Sequence, residues 1–315
     1  MKDISRFDIE NNLPLVTRKG PKRKFNVGSN VIIGTSDLVA MAGPCTIEGK
    51  EQIFEIAKMM KECGVQILRG GAFKPLTFPY GDPLVQPDSD SGQAPRDRKE
   101  ILSKEDMFKA AARRLSYLKA AGEKYELPVI SEIIYADSLT MMEDYVDMFQ
   151  VGYRHMFNMD LVDALSKTKK PIMIKRHYGE SLRSLLGVAE HYEARGKTNF
   201  IICERGISVP HTHNVESRAV LDVQAIPALN DYAPTIPVII DPSHATFKRS
   251  YVSAMSMAGI AAGADGLLIE VHFDPEKAWV DPLQALSIED FKHLMNKLSK
   301  VRKIVLNKEL KLMTT

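Results

Sequence analysis

Short apolar runs alternate with longer amphipathic segments along most of the chain. The runs are rich in β-branched residues, as in buried strands, and the segments between them repeat apolar residues at the spacing of a helix. Eight strands are predicted: Leu38–Cys45, Gln66–Arg69, Pro128–Glu132, Met148–Val151, Pro171–Lys175, Phe200–Glu204, Val238–Asp241 and Gly266–Glu270. The predicted helices are Glu51–Cys63, Lys104–Tyr125, Ser138–Tyr145, Met159–Lys167, Leu182–Ala194, Val220–Leu229, Tyr251–Ala262 and Ile288–Leu306.

This alternation predicts the fold and one domain boundary. Eight strands that are each followed by a helix are typical of an α/β protein of the (β/α)8 type, the TIM barrel. We therefore expect a short N-terminal extension over residues 1–37 and a catalytic barrel over residues 38–315. The connection over residues 82–103 is unusually long, and loops of this length are often functional. Its Asp-, Ser-, Pro- and Arg-rich part, Gln86–Lys99, is either a mobile surface excursion or a lid over the barrel mouth.

Composition and charge exclude several classes of protein. Of the 315 residues, 44% are hydrophobic and 26% are charged, which is ordinary globular usage. The 42 basic and 40 acidic residues give a net charge of +2, which is too balanced for general binding to nucleic acid or a membrane surface. Three cysteines are too few for a disulfide framework, and no secretory signal or membrane-spanning run is evident. We expect a cytoplasmic protein whose anionic ligand is met by a local cluster of cations.

Charged residues gather where the predicted strands end. In barrels of this type the chemistry lies at the carboxyl ends of the strands. Glu132 ends the third strand, and five cations end or follow four other strands: Arg69, Lys74, Arg154, Lys175 and Arg205. Each cation taken alone is as readily the partner of a neighbouring glutamate, but together they converge on one funnel. Such a funnel suits a small, multiply charged anion such as a phosphorylated carboxylic acid.

A second set of strand-end residues has the chemistry of metal ligands. It combines one thiol, one imidazole and two carboxyl groups, from Cys45, His244, Glu270 and Asp281. This mixture of soft and hard donors suits a divalent first-row transition metal, and an open coordination position would let that metal polarise a carbonyl oxygen. Cys45 alone is more often a buried core residue, and His244 alone is as often a core histidine as a ligand.

Several motifs carry a resemblance to a known family. They are Ala42-Gly43-Pro44-Cys45, Leu68-Arg69-Gly70-Gly71-Ala72-Phe73-Lys74-Pro75, Ile174-Lys175-Arg176, Cys203-Glu204-Arg205-Gly206, Asp241-Pro242-Ser243-His244 and Ile269-Glu270-Val271-His272. Between about Leu38 and Leu306 the chain resembles the type I 3-deoxy-D-arabino-heptulosonate 7-phosphate (DAHP) synthases, in particular the microbial branch with a bare barrel. The 3-deoxy-D-manno-octulosonate 8-phosphate and sialic acid synthases share the fold and the logic of the reaction.

The resemblance implies a reaction and roles for the strand-end residues. The reaction is a metal-dependent, aldol-like condensation of phosphoenolpyruvate (PEP) with an aldose, in which water adds to PEP and phosphate leaves. It implies a divalent Mn, Fe, Zn or Co ion on Cys45, His244, Glu270 and Asp281. It places PEP on Arg69, Lys74, Arg154, Lys175 and Arg205, and we expect Lys74, Cys45, His244 and Glu132 to act in catalysis. It also implies a homodimer or homotetramer.

The aldehyde half of the site departs from the family. After Lys-Pro the family has Arg-Thr-Ser or Arg-Thr-Thr, which grips the phosphate of erythrose 4-phosphate, whereas this chain has Leu76-Thr77-Phe78. The arginine's charge-assisted hydrogen bonds are worth roughly 1.5–3 kcal/mol each. Where the family has Ala-Arg, this chain has Tyr153-Arg154. Where the family has Lys-Arg-Gly, it has Lys175-Arg176-His177. We expect an unphosphorylated, larger or partly aromatic aldehyde to contact Leu76, Thr77, Phe78, Tyr153, His177 and Asp241.

Three alternatives to this interpretation stay open. Lys248, Arg249, Arg96 or Arg98 would restore the phosphate grip from another direction, and the protein would then be an authentic DAHP synthase. The new aromatic residues would then simply pack under an altered loop. A catalytically silent homologue that binds PEP or regulates a partner is an alternative of another class.

His211 and His213 are a candidate metal pair or proton shuttle, but they are more typical of solvated loop histidines.

Overall fold

The computed structural model describes residues 10–210 and 219–306, and a closed barrel dominates this part of the chain. His211 and His213 lie outside the described residues. A hairpin of two antiparallel strands, β1 (Phe25–Val27) and β2 (Val31–Ile33), precedes the barrel. The barrel strands are β3 (Val39–Gly43), β4 (Ile67–Arg69), β5 (Val129–Ile133), β6 (Met148–Val151), β7 (Ile172–Lys175), β8 (Phe200–Glu204), β9 (Val238–Ile240) and β10 (Gly266–Glu270).

Eight parallel strands among the described residues pair in chain order, and β10 returns to β3 to close the barrel. The closing register runs from Gly266 beside Val39 to Glu270 beside Gly43. The α-helices are α1 (Lys50–Glu62), α2 (Lys104–Tyr125), α3 (Leu139–Glu143), α4 (Met159–Lys167), α5 (Leu182–Ala194), α6 (Ala225–Tyr232), α7 (Pro242–Thr246), α8 (Arg249–Ala261) and α9 (Ile288–Leu306). The predicted (β/α)8 barrel is confirmed.

The barrel has two apolar layers. The larger layer lies between the strands and the surrounding helices. The smaller layer fills the barrel interior with inward-pointing residues such as Met41, Ile130 and Leu268, and the hairpin residues Val27 and Ile33 belong to the same cluster. The hairpin therefore packs into the barrel at the end opposite the strands' carboxyl ends. The predicted domain boundary at residues 37 and 38 stays a prediction, although part of the N-terminal extension joins the barrel core.

Local sequence signals explain most element boundaries. Ser103, Asn158 and Ser181 each cap the N-terminus of the following helix with a side-chain oxygen, where such residues are favoured. The helix predicted over Val220–Leu229 instead spans Ala225–Tyr232, because Val220 pairs with Ile207 in an isolated bridge. Helix α7, which carries His244, was not predicted, since it is only five residues long.

The long connection after β4 runs along the flank of the barrel. Pro83, Leu84 and Val85 form a buried helical turn, and Arg114 of α2 donates hydrogen bonds to the carbonyls of Pro83 and Gln86. No residue of Gln86–Lys99 lines the cavity at the barrel mouth described below. In this structure the segment covers the side of the barrel, and the alternative of a lid stays untested. None of the described helices is long and apolar enough to cross a membrane.

Candidate active site

A cavity of about 290 Å³ opens at the carboxyl ends of the barrel strands. Its floor is charged, and its rim is formed by the chain after Lys74 and by Val280. The lining residues are Cys45, Lys74, Pro75, Leu76, Thr77, Phe78, Tyr80, Glu132, Gln150, Gly152, Tyr153, Arg154, Lys175, Arg205, His244, Val280 and Asp281. Most of the residues predicted to carry chemistry therefore meet at one place, as expected for this fold.

Four side chains with metal-binding atoms converge beside this cavity. One ligand atom from each of Cys45, His244, Glu270 and Asp281 lies within 4.8 Å of all the others. They come from the loop after β3, from α7, from the end of β10 and from the loop after β10, so the closure of the barrel brings them together. The set is that predicted from the strand ends.

Burial sets the protonation of these donors in the absence of a cation. Burial raises the pKa of the Cys45 thiol to about 12, and the neighbouring Glu270 charge adds to this. Burial also raises the pKa of Glu270 to about 7 and lowers that of His244 to about 3. At neutral pH the histidine is therefore a neutral imidazole, while the thiol keeps its proton.

The surroundings of the donors fit a divalent cation. Glu270 Oε2 accepts a hydrogen bond from Gln284 Nε2 at 2.6 Å, whereas Glu270 Oε1 is buried and accepts none. A buried carboxylate oxygen without a hydrogen bond destabilises the folded protein unless a cation or a hydrogen-bond donor contacts it. Thiolate, imidazole and carboxylate are all ligands of first-row transition metals. The Nδ1 atom of His244 also contacts Asp241, which leaves Nε2 to bind a metal. Such a contact to the second nitrogen is usual for histidines that bind metals.

Asp281 occupies a strained backbone conformation. Its φ of 54° lies in the left-handed region, which residues other than glycine adopt infrequently. Strain of this kind costs about 1–3 kcal/mol and persists only where the surroundings hold the residue in place. Asp281 Oδ2 lies 3.3 Å from Cys45 Sγ and 4.0 Å from His244 Nε2. Asp281 therefore adopts this backbone conformation with its carboxylate next to the other three donors.

The predicted anion-binding cations surround the four donors. Lys74 Nζ and Arg69 Nη2 lie 2.6 and 3.3 Å from Cys45 Sγ. Arg205 Nη2 donates to the His244 carbonyl at 2.8 Å, and Lys175 forms a buried ion pair with Asp241. Burial opposes the charge of Lys74, but the neighbouring Cys45, Glu132 and Asp281 leave its pKa raised, so its ammonium persists at neutral pH.

Glu132 and Arg154 complete the polar part of the cavity. Glu132 accepts a hydrogen bond from Gln150 at 3.1 Å, and a Cβ atom at Gly152 would lie only 1.9 Å from Glu132 Oε1. The glycine therefore leaves room for the carboxylate to reach the cavity. Arg154 donates to the Thr77 hydroxyl at 3.1 Å, which ties the cationic side of the cavity to its rim.

The rim at the predicted acceptor positions is apolar and aromatic. Leu76 is 37% exposed and Phe78 is 74% exposed. The Tyr153 ring lies against the guanidinium groups of Arg154 and Arg205, 4.6 and 4.5 Å from its centroid. Both arginines are thereby placed around one aromatic side chain.

Two predicted acceptor residues do not line the cavity. Asp241 is fully buried beneath His244, and His177 stacks on Tyr178 with the ring centroids 4.6 Å apart. The structure adds Tyr80, Gln150 and Val280 to the lining, and Gln284 behind Glu270. Gln284 could not be predicted from the sequence, because neither its residue type nor its spacing marks a residue that supports a carboxylate 14 positions earlier.

The chain matches one family profile and is similar in sequence to two kinds of aldolase. Residues 15–82 and 109–307 match the family profile described as "DAHP synthetase I family". The chain is 35% identical over 272 residues to the phospho-2-dehydro-3-deoxyheptonate aldolase of Thermotoga maritima, which covers 86% of this chain and 72% of the relative. It is 24% identical over 294 residues to the 2-dehydro-3-deoxyphosphooctonate aldolase of Desulfotalea psychrophila, which covers 88% of this chain and 95% of the relative.

A solved structure also resembles this chain closely. It is the truncated form of 3-deoxy-D-arabino-heptulosonate 7-phosphate synthase from Thermotoga maritima, with a TM-score of 0.78 and 31% sequence identity. The similarity covers 93% of this chain and 98% of the solved chain. Sequence and fold thus point to the same relatives.

Proposed function

The chain belongs to the DAHP synthetase I family and is a PEP-dependent carbon–carbon bond-forming transferase, and we propose that it uses a divalent metal and an aldehyde other than erythrose 4-phosphate. Carbon 3 of PEP attacks the aldehyde carbon, water adds to carbon 2 of PEP, and inorganic phosphate leaves. The product is a 3-deoxy-2-keto acid. The observation that carries the choice of acceptor is the apolar rim of the cavity at Leu76 and Phe78.

The metal part of the proposal rests on Cys45, His244, Glu270 and Asp281, whose ligand atoms lie within 4.8 Å of one another. When bound, a divalent cation would polarise the aldehyde oxygen as a Lewis acid. The residues around it do the remaining work. Burial keeps His244 a neutral imidazole, Asp241 fixes the orientation of its ring through Nδ1, and Gln284 fixes one oxygen of Glu270.

The floor of the cavity would hold PEP. Arg69, Lys74, Arg154, Lys175 and Arg205 supply charges that the phosphate and carboxylate of PEP require, and the arginine forks suit both groups. Lys74 faces the cavity as an ammonium and offers a proton to the oxygen that gains charge when the aldehyde is attacked. Glu132 faces the same space and would accept a proton from the attacking water.

The acceptor would be an unphosphorylated, larger or partly aromatic aldehyde. The cations that would restore a phosphate grip lie elsewhere in the fold. Arg249 donates to Glu276 and to two backbone carbonyls, and it lines a different cavity together with Lys248. Arg96 and Arg98 line a third cavity on the barrel flank. Phe78, Tyr80 and Tyr153 offer apolar and aromatic surface around the entrance.

An authentic DAHP synthase is the second candidate, because a relative with 35% identity carries that activity in its name. A silent homologue is disfavoured, since a binding module needs no set of four clustered donors. Metal content together with loss of turnover in Cys45→Ser would separate the silent homologue from both enzymes. Assembly into dimers or tetramers stays a prediction.

The test measures phosphate release from PEP by the metal-loaded protein. Erythrose 4-phosphate is compared with a panel of unphosphorylated aldoses and aromatic aldehydes at equal concentrations. We expect turnover with a member of the panel and a much lower kcat/KM with erythrose 4-phosphate. Rapid turnover with erythrose 4-phosphate would contradict the acceptor assignment and identify a DAHP synthase. Absence of metal binding would contradict the metal assignment.

A further inference from the structure

Residues 83–108 fall between the two stretches that match the family profile, yet part of this segment contacts the loops that carry the metal-binding side chains. Pro83–Asp90, here called the flank segment, packs beside the start of α1 and near Trp279. Both places are close in sequence to donors of the candidate metal site: Cys45 precedes α1, and Asp281 follows Trp279 by two residues.

The flank segment supports the chain that follows Cys45. The residue before α1, Gly49, has no side chain to cap the helix, and the Glu51 backbone N–H instead donates to Asp90 Oδ2 at 2.8 Å. A carboxylate in that place satisfies a helix N-terminus and is favoured by the helix dipole. A Cβ atom at Gly49 would lie 1.7 Å from Asp90 Oδ1, so this contact requires the glycine. The backbone N–H of Ser89 donates to the Glu48 carbonyl at 2.9 Å.

Glu48 connects this chain to the loop that carries Asp281. The residue is 5% exposed, and its Oε1 accepts a hydrogen bond from the Trp279 backbone N–H at 2.8 Å. His272 Nε2 lies 3.5 Å from the same oxygen. A buried carboxylate therefore holds the loop two residues before the left-handed backbone of Asp281.

A second contact reaches Trp279 through Arg114. The Arg114 guanidinium is fully buried and donates to the carbonyls of Pro83 and Gln86 at 2.8 and 2.9 Å. The same guanidinium lies 5.6 Å from the centroid of the Trp279 ring, within the range of a cation–π contact. Asp88 of the flank segment pairs with Arg114 at 3.7 Å.

We propose that the flank segment positions two of the four metal ligands, Cys45 through Asp90 and Ser89, and Asp281 through Glu48 and Trp279. The inference rests on the proposed metal site. Glu48, Asp90 and Trp279 are positioning residues, because they reach the metal only through the ligands that they hold. Outer contacts of this kind typically change metal affinity by roughly 10–100-fold when removed.

The test uses the full chain loaded with Co²⁺. Calorimetry gives the dissociation constant, and visible absorption reports the Co²⁺–thiolate bond and the coordination geometry. We expect Glu48→Ala to weaken Co²⁺ binding by roughly 10–100-fold and to alter the absorption bands, because Asp281 is no longer held. Glu48→Gln keeps an acceptor oxygen and should recover most of the affinity. Glu100→Ala makes the same change at an exposed site of the connection and should bind like the native protein.

Asp90→Ala is a second, independent variant, because Asp90 is exposed and its loss leaves the core intact. We expect several-fold weaker Co²⁺ binding and a spectral change that Glu100→Ala does not show. If both variants bind Co²⁺ with native affinity and native spectra, the inference is overturned and the proposed function stands. If Glu48→Ala does not fold, the same result in Asp90→Ala alone decides the question. A native protein that does not bind Co²⁺ would overturn the proposed metal site and this inference together.

Discussion

Asp241 contacts His244 at two points. Asp241 Oδ1 accepts a hydrogen bond from the His244 backbone N–H at 3.0 Å, and the ring nitrogen Nδ1 lies 2.8 Å from Asp241 Oδ2. With its proton on Nδ1, the neutral imidazole presents a lone pair on Nε2 towards Cys45 and Glu270. Although burial alone would raise the pKa of Asp241, its contacts with His244 and Lys175 hold that pKa well below the usual value.

Asp241→Asn should therefore weaken metal binding by roughly 10–100-fold. The carboxamide still has an oxygen for the backbone N–H, but it no longer fixes the proton of His244 on Nδ1. Calorimetric titration with Mn²⁺ or Co²⁺ measures the change. Asp163→Asn, at an exposed aspartate paired with Arg195, is the matched control. Equal affinities in the two variants would show that Asp241 does not orient the ligand.

Metal binding should release protons and strengthen as pH rises. Cys45, whose pKa is raised to about 12, must lose its proton to bind the metal, and Glu270, whose pKa is raised to about 7, is also protonated below that pH. His244, whose pKa is lowered to about 3, releases none. We expect about two protons released per metal below pH 7 and about one above it. Calorimetry in buffers of different ionisation enthalpy counts them, and release of none would be the contrary result.

Leu76→Arg combined with Phe78→Ser should give the protein activity with erythrose 4-phosphate. The new guanidinium restores charge-assisted hydrogen bonds worth roughly 1.5–3 kcal/mol, equivalent to a gain of about 10- to 150-fold in kcat/KM. Leu283→Arg adds the same charge at a leucine outside the cavity and should give no gain. If the double variant shows no gain over Leu283→Arg, the phosphate site has been lost for another reason.

Neighbouring isoleucines of β2 should differ sharply in their effect on stability. Ile33 is 1% exposed and packs into the barrel interior, whereas Ile32 is 51% exposed on the other face of the strand. Ile33→Ala should lower the free energy of unfolding by about 2–5 kcal/mol, and Ile32→Ala should change it by no more than about 0.5 kcal/mol. The midpoints of urea unfolding measure both. Similar midpoints would mean that the hairpin does not support the barrel.

The sequence predicted the barrel and most of the residues that lie together in the candidate site, because both depend on regular features. Strand ends such as Glu270 and Arg69 can be located from periodicity, and the fold brings every strand end to one face. The contacts made by loops could not be predicted in this way. The Glu48–Trp279 bond joins residues 231 positions apart, and the burial of Asp241 beneath His244 depends on the short helix α7. Such contacts follow from the packed structure, where local propensity carries no signal.

The hairpin has a consequence for how the chain folds. Its residues Val27 and Ile33 are made early in synthesis, but the interior cluster to which they belong extends to Leu268 of the last strand. Contacts so far apart in sequence form slowly, because a long stretch of chain must be ordered first. The apolar interior that includes the hairpin is thus complete only once the last strand has joined, and until then the nascent chain is most exposed to aggregation.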